Sequence, residues 1–178
     1  MVQISAADIF AFFERYIAIN RLKIQDTMKA NRCSILFVCI HNSARSQMAE
    51  AFLKEMGGDK FEAESAGIEP GKLNRNVVQI MLETGIDISK NETKDVFSLL
   101  KTGKTYNAVI TVCDAASAER CPVFPGKSKR IAWSFPDPSQ FTGSNEEILQ
   151  HTRLVRDEIK QKVTEFIIDA ATTAYWNE

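Results

Sequence analysis

An α/β fold built on one parallel sheet of about four strands, with helices on both faces, is what this chain predicts. Strand-like apolar runs alternate with segments of helical periodicity, the pattern of a parallel sheet. The run Tyr106-Asn-Ala-Val-Ile-Thr-Val112 is strongly apolar and rich in β-branched residues, as a buried strand should be. With 178 residues the chain is long enough for one domain with a sizeable core, and it has no internal repeat, low-complexity stretch or linker.

Taken in order, Ser5-Ala-Ala-Asp8 reads as a helix start, with Ser5 capping and Asp8 in the first turn. Ile9, Phe12, Phe13, Tyr16 and Ile17 follow at helical spacing, and the helix is expected to end before Asn31. Residues 1–32 are therefore expected to form an N-terminal helical extension, and residues 33–178 a single α/β domain. Ile35-Leu-Phe-Val38 is a buried strand. After it, Met48, Ala49, Phe52, Leu53 and Met56 form one helical face, ended by Gly57-Gly58. Phe61-Glu-Ala-Glu-Ser65 alternates like a strand, and a turn runs through Gly67, Pro70 and Gly71. Val77, Val78, Met81 and Leu82 mark a helix closed at Gly85, and residues 95–101 a short one. The strand over 106–112 delivers Cys113, and Arg130-Ile-Ala-Trp133 is a further strand. Ser144 and Glu147 form a capping box for a long last helix with the stripe Ile148, Val155, Ile159, Val163, Phe166 and Ile167.

Composition bounds function. A net charge of −1 points to neither nucleic acid nor an anionic membrane surface, and no apolar run approaches the length of a membrane span. Asp8 and Glu14 interrupt the N-terminus and no basic region precedes it, so no secretory signal is expected and the cytoplasm is the expected compartment. Four cysteines, Cys33, Cys39, Cys113 and Cys121, are too few for a disulfide scaffold at this length. No pair has Cys-x-x-Cys spacing and only His41 and His151 could complete a zinc site, so catalytic or redox-active thiols are the better expectation.

The segment Cys39-Ile-His-Asn-Ser-Ala-Arg45-Ser46 carries the chemistry. It lies between a buried strand and a helix. A loop so placed aims backbone N–H groups and the positive end of a helix dipole at one point, which suits a tetrahedral oxyanion. Cys39 sits at the mouth of that nest, where a thiolate is stabilised and Ser46 can donate to it. Arg45 can clamp two anion oxygens at once. Ligands of parallel α/β sheets bind at the carboxyl ends of the strands, where both Cys39 and Cys113 fall.

Cys113-Asp-Ala-Ala-Ser-Ala-Glu-Arg-Cys121-Pro122 is the second informative segment. If residues 114–120 are helical, the two cysteines stand roughly 12 Å apart at about 1.5 Å per residue, beyond the reach of about 7 Å for a disulfide. The pair is then either a redox switch, in which a weak helix unwinds when the thiols join, or two unconnected cysteines. In Trp133-Ser-Phe-Pro-Asp137-Pro138-Ser139, Asp137 is either a rigid turn residue or, beside an oxyanion pocket, a general acid.

Together the segment 35–52, the turn Glu64-Ser-Ala-Gly67, Cys113 to Pro122 and Trp133 to Pro138 resemble the thioredoxin-coupled arsenate reductases, which share the low-molecular-weight protein tyrosine phosphatase fold. The similarity runs from about Ser34 to about Phe166 and offers no role for residues 1–32. The resemblance implies an enzyme that reduces arsenate. Cys39 attacks arsenic, Asp137 donates a proton, and Arg45 with the loop residues Ile40, His41, Asn42, Ser43, Ala44, Arg45 and Ser46 holds the oxyanion, for which phosphate or sulfate are mimics. Cys113 then attacks Cys39, and Cys121 attacks Cys113, leaving a Cys113–Cys121 disulfide for thioredoxin. Cys33 matches no catalytic position. No tightly bound cofactor is implied, although some members hold a potassium ion, for which the matching positions are Asn42, Glu50, Ser65 and Asp95.

Two rivals remain. A low-molecular-weight protein tyrosine phosphatase would use the same Cys39, Arg45 and Asp137, but would not need Cys113 and Cys121, and of the expected aromatic wall only Phe141 is present. A non-enzymatic trap for a soft ion would use three thiolates and leave the oxyanion cradle without a purpose.

Overall fold

The computed structural model describes residues 32–113 and 119–177. The contact pattern divides the chain between Arg32 and Cys33. The helix expected before Asn31 lies outside the described residues, as do positions 114–118 of the expected switch helix.

From Cys33 onward the strands are β1 (Cys33–Cys39), β2 (Phe61–Gly67), β3 (Ala108–Thr111) and β4 (Lys129–Ala132). The helices are α1 (Arg45–Met56), α2 (Arg75–Leu82), α3 (Val96–Lys101), α4 (Asn145–Ala170) and α5 (Thr173–Asn177). The strands make one sheet in the order β2-β1-β3-β4, and every pairing is parallel. The chain leaves β1 for one side, returns over it, and continues on the other. The carboxyl ends of β1 and β3 thus form the switch point at which such sheets bind ligands.

Strand β1 is buried on both faces, and its period of two divides the core. Ile35, Phe37 and Cys39 pack into a large layer with Met48, Phe52 and Leu53 of α1, Ile80 of α2 and Ile159 of α4. Leu36 and Val38 pack into a smaller layer with Val96 of α3, Tyr106, Val109, Cys121 and Phe124. Each large apolar side chain so buried contributes about 1.5–3 kcal/mol relative to exposure.

Three helices begin on side-chain caps. Asn74 accepts from Asn76 and Val77, Asp95 from Phe97 and Ser98, and Ser144 forms the expected box with Glu147. Helix α1 has Ala44 at its N-cap position and so begins with no side-chain cap.

Strand limits differ slightly from the pattern. Tyr106 lies outside β3, with its hydroxyl donating to Glu64 Oε2 at 2.6 Å, while Val112, also outside the strand, still donates to the carbonyl of Val38 at 2.9 Å. On α4 the buried stripe is Leu149, Thr152, Val155, Ile159, Val163, Phe166 and Ala170, not Ile148 and Ile167. The spacing of three and four continued from Val155 selects Thr152 and Leu149, and Thr152 satisfies its hydroxyl on the carbonyl of Ile148 at 2.6 Å. Among the described residues no helix is long and apolar enough to cross a membrane.

Candidate active site

The loop between β1 and α1 is held from outside by its own carbonyls. Those of Cys39, Ile40, His41 and Ser43 accept from the N–H groups of Ile68, Glu69, Gly71 and Asn74, at 3.1, 2.8, 2.9 and 3.0 Å. With its acceptors engaged on that side, the loop keeps its donors for the interior, next to the uncapped start of α1. Gly67 lets strand and loop approach this closely: a Cβ there would stand 2.8 Å from Asn42 N, from the His41 carbonyl carbon and from Ile40 O.

Cys39 is buried beneath the loop. Its Sγ accepts the Asn42 N–H at 3.1 Å and lies 3.0 Å from Ser46 Oγ. Asn42 takes a left-handed conformation (φ 51°), which asparagine tolerates better than most residues. Its Nδ2 donates to Ser46 Oγ at 2.9 Å and Ser65 Oγ at 2.8 Å. Its Oδ1 accepts the Lys94 N–H at 2.8 Å. His41 is half-buried, with Nδ1 2.9 Å from the carbonyl of Glu69.

Arg45 opens α1 and is 5% exposed. Its guanidinium donates to Asp137 Oδ2 at 2.6 Å and to the carbonyl of Phe135 at 3.2 Å. The other Asp137 oxygen accepts the Ser139 N–H at 3.0 Å, opening the short turn Pro138–Gln140. Asp137 is therefore both a turn residue and a partner of the loop arginine.

None of the cysteines forms a disulfide. Cys113 follows β3 immediately beside the end of β1, since Val38 pairs with Thr111. Cys121 is buried in the smaller layer, next to the aromatic pair Tyr106 and Phe124. Burial pushes the Cys121 thiol up, only partly opposed by Arg130, and burial also raises Cys33.

The four positions matched to potassium do not fit a hard cation. Asn42 turns its amide nitrogen, not its oxygen, toward Ser65. Glu50 accepts the Ser65 hydroxyl and is matched by the ammonium groups of Lys54 at 2.5 Å and Lys94 at 3.4 Å. Asp95 is committed to capping α3, and the hydrogen bonds from Ser98 hold its carboxyl below the ordinary value. Among the described residues no three His, Cys, Asp or Glu side chains gather as a metal site. Phe141 is packed on the large layer and stacks edge-on with His151, its centroid 5.6 Å away, so it is engaged by α4.

Gln47 was not among the residues singled out from the sequence. A polar side chain beside Met48 in the first turn of a buried helix was the signal available. It is 1% exposed and bridges Asn42 to the segment 91–92.

A parallel four-stranded sheet with a cysteine at the start of the loop at its switch point defines a class. The family described as low molecular weight phosphotyrosine protein phosphatase matches residues 34–174, and the chain belongs to it. Among its relatives is the arsenate reductase of Bacillus subtilis (strain 168), 44% identical over 134 residues, which make up 74% of this chain and 93% of that protein. Among solved structures, the arsenate reductase from Archaeoglobus fulgidus is 30% identical with a TM-score of 0.60, over 75% of this chain and 98% of that one. A thioredoxin-dependent arsenate reductase of Corynebacterium glutamicum is 25% identical with a TM-score of 0.54, over 83% of this chain and 72% of that one.

Proposed function

We propose that this protein reduces arsenate to arsenite, with Cys39, Cys113 and Cys121 as a thiol relay and thioredoxin as the reductant. The observation that carries this reading is the arrangement of the thiols. Cys39 lies in the donor-lined loop at the end of β1, Cys113 at the end of the adjacent β3, and Cys121 buried beyond it. Hydrolysis of a phosphate ester would leave the second and third thiols without work.

Oxyanion entry draws the Arg45 guanidinium from Asp137 onto two anion oxygens, while the loop N–H groups take the others. The Cys39 thiolate attacks arsenic. An S–As bond forms, and one oxygen leaves as water after taking a proton from Asp137. The Cys113 thiolate then attacks Cys39 Sγ. The S–As bond breaks, its electron pair stays on arsenic, and arsenite departs as Cys39–Cys113 forms. Cys121 attacks Cys113, which regenerates the Cys39 thiolate and leaves Cys113–Cys121 for the dithiol of thioredoxin. No tightly bound cofactor enters these steps. We assign them to the domain 33–178 and to the cytoplasm, where a reducing poise keeps thioredoxin charged.

The test is NADPH oxidation with arsenate, thioredoxin and thioredoxin reductase, comparing wild type with Cys121→Ser. Arsenate-dependent turnover that collapses in the variant to about one turnover, with Cys39–Cys113 trapped, is expected. Normal turnover in Cys121→Ser would break the relay. Hydrolysis of an aryl phosphate without arsenate turnover in either protein would make the protein a phosphatase.

A further inference from the structure

The sense of one buried amide decides where a hydroxyl proton goes in this site. In a side-chain amide, oxygen and nitrogen are told apart by their partners, and here the partners leave no choice. Asn42 Oδ1 faces two donors, the backbone N–H of Lys94 at 2.8 Å and Gln47 Nε2 at 3.3 Å. Gln47 Nε2 is itself identified as the nitrogen because it also donates to the carbonyl of Glu92 at 3.1 Å, while Gln47 Oε1 accepts from Asn91 Nδ2 at 2.9 Å. Asn42 Nδ2 must then face Ser46 and Ser65. Ser65 passes its own proton to the Glu50 carboxylate. Ser46, having accepted from Asn42, directs its proton to Cys39 Sγ at 3.0 Å. A reversed Asn42 amide would accept that proton instead, and Cys39 would keep a single donor, the Asn42 N–H.

We infer that Gln47 is a positioning residue for the nucleophile: it holds the segment 91–94 against α1, fixes the sense of the Asn42 amide, and thereby aims the Ser46 hydroxyl at the Cys39 thiolate. The inference rests on Cys39 being the nucleophile of the proposed reaction. Gln47 reaches no oxyanion-binding N–H group and does not touch Arg45 through any of its three hydrogen bonds. Its loss acts on the thiolate and spares the anion cradle. Asn91 extends the control to the exposed surface, at the far end of the same chain of hydrogen bonds.

The experiment replaces Gln47 by methionine and reads two quantities without arsenate. One is the thiolate of Cys39, taken as the part of the ultraviolet thiolate absorbance that Cys39→Ser removes. The other is the affinity for inorganic phosphate by calorimetry. At the pH where half of wild-type Cys39 is thiolate, Gln47→Met is expected to keep less than roughly one third of that signal, because a hydrogen bond to a charged group is lost. Phosphate affinity is expected to hold within about twofold, since the loop N–H groups and Arg45 are untouched. An unchanged thiolate signal overturns the inference. So does a parallel loss of thiolate and phosphate affinity, the mark of a loop that has collapsed as a whole. If Gln47→Met does not melt in one transition, Asn91→Ala decides on the same two readings, with a smaller loss of thiolate expected. Neither reading depends on which oxyanion the enzyme turns over, so failure here is distinct from failure of the reductase assay.

Discussion

Gly67→Ala tests the close seating of strand β2 against the loop that follows Cys39. Gly67 pairs with Cys39 across the sheet, and its own N–H donates to the Lys94 carbonyl at 2.7 Å, so it is tied on both sides. The added methyl would lie 2.8 Å from three backbone atoms of residues 40–42, against an ordinary contact of 3.4 Å or more. Backbone cannot turn aside as a flexible side chain can, so strand and loop must part by roughly 0.6 Å. Overpacking of this kind costs about 1–3 kcal/mol. The displaced atoms belong to the loop proposed to hold the oxyanion, and a misplacement of that size is worth on the order of tenfold in rate. Urea denaturation gives the first quantity, from the midpoint at unchanged slope. Phosphate calorimetry and arsenate turnover give the second. A variant within about 0.5 kcal/mol of wild type that binds phosphate normally would refute the reasoning and show that the sheet can yield there.

Asp137→Asn should lower arsenate turnover about a hundredfold through loss of the proton donor, while phosphate binds at least as tightly because Arg45 no longer has a carboxylate partner; unchanged turnover would reduce Asp137 to its role in the turn. Burial raises the Cys121 thiol above its ordinary value of 9.0. The thiolate that attacks Cys113 therefore grows with pH, and the second exchange, followed by stopped flow, should accelerate up to and beyond that value. A plateau near neutral pH would mean that Cys121 leaves the core before it reacts. Replacing potassium by sodium at constant ionic strength should leave melting temperature and turnover unchanged, because Lys54 and Lys94 already neutralise Glu50; a rise in melting temperature specific to potassium would overturn that reading.

The parts of this molecule that were legible in the sequence are those built from neighbours in the chain. The strand, polar loop and helix around Cys39 lie within one short stretch, and so does the Ser144–Glu147 box. The four strands and their parallel sense followed from alternation with helices. What the sequence hid depends on distant partners. Arg45 meets Asp137 across 92 positions, and Gln47 meets Glu92 across 45. The positions matched to a cation stand close together, yet ammonium groups serve Glu50 there, and Lys94 comes from 44 positions away. The stripe of α4 was off by one residue at Ile148 because Ile148 and Leu149 are both apolar, and only the register against the core separates them.

The alternation of β1 turns Cys39 into the layer of α1, while Cys121 packs in the layer of α3 with Leu36 and Val38 on the opposite face of the sheet. In the proposed relay that wall of β-structure acts as a partition between two chemistries. A thiol other than Cys113 that attacked an arsenylated Cys39 would also release arsenite, but would leave its mixed disulfide at the anion cradle. A disulfide between Cys113 and Cys121 would instead leave Cys39 and the anion cradle free for the next oxyanion. In that relay Cys113, which follows the strand beside β1, links the two sides: it attacks Cys39 and is then attacked by Cys121.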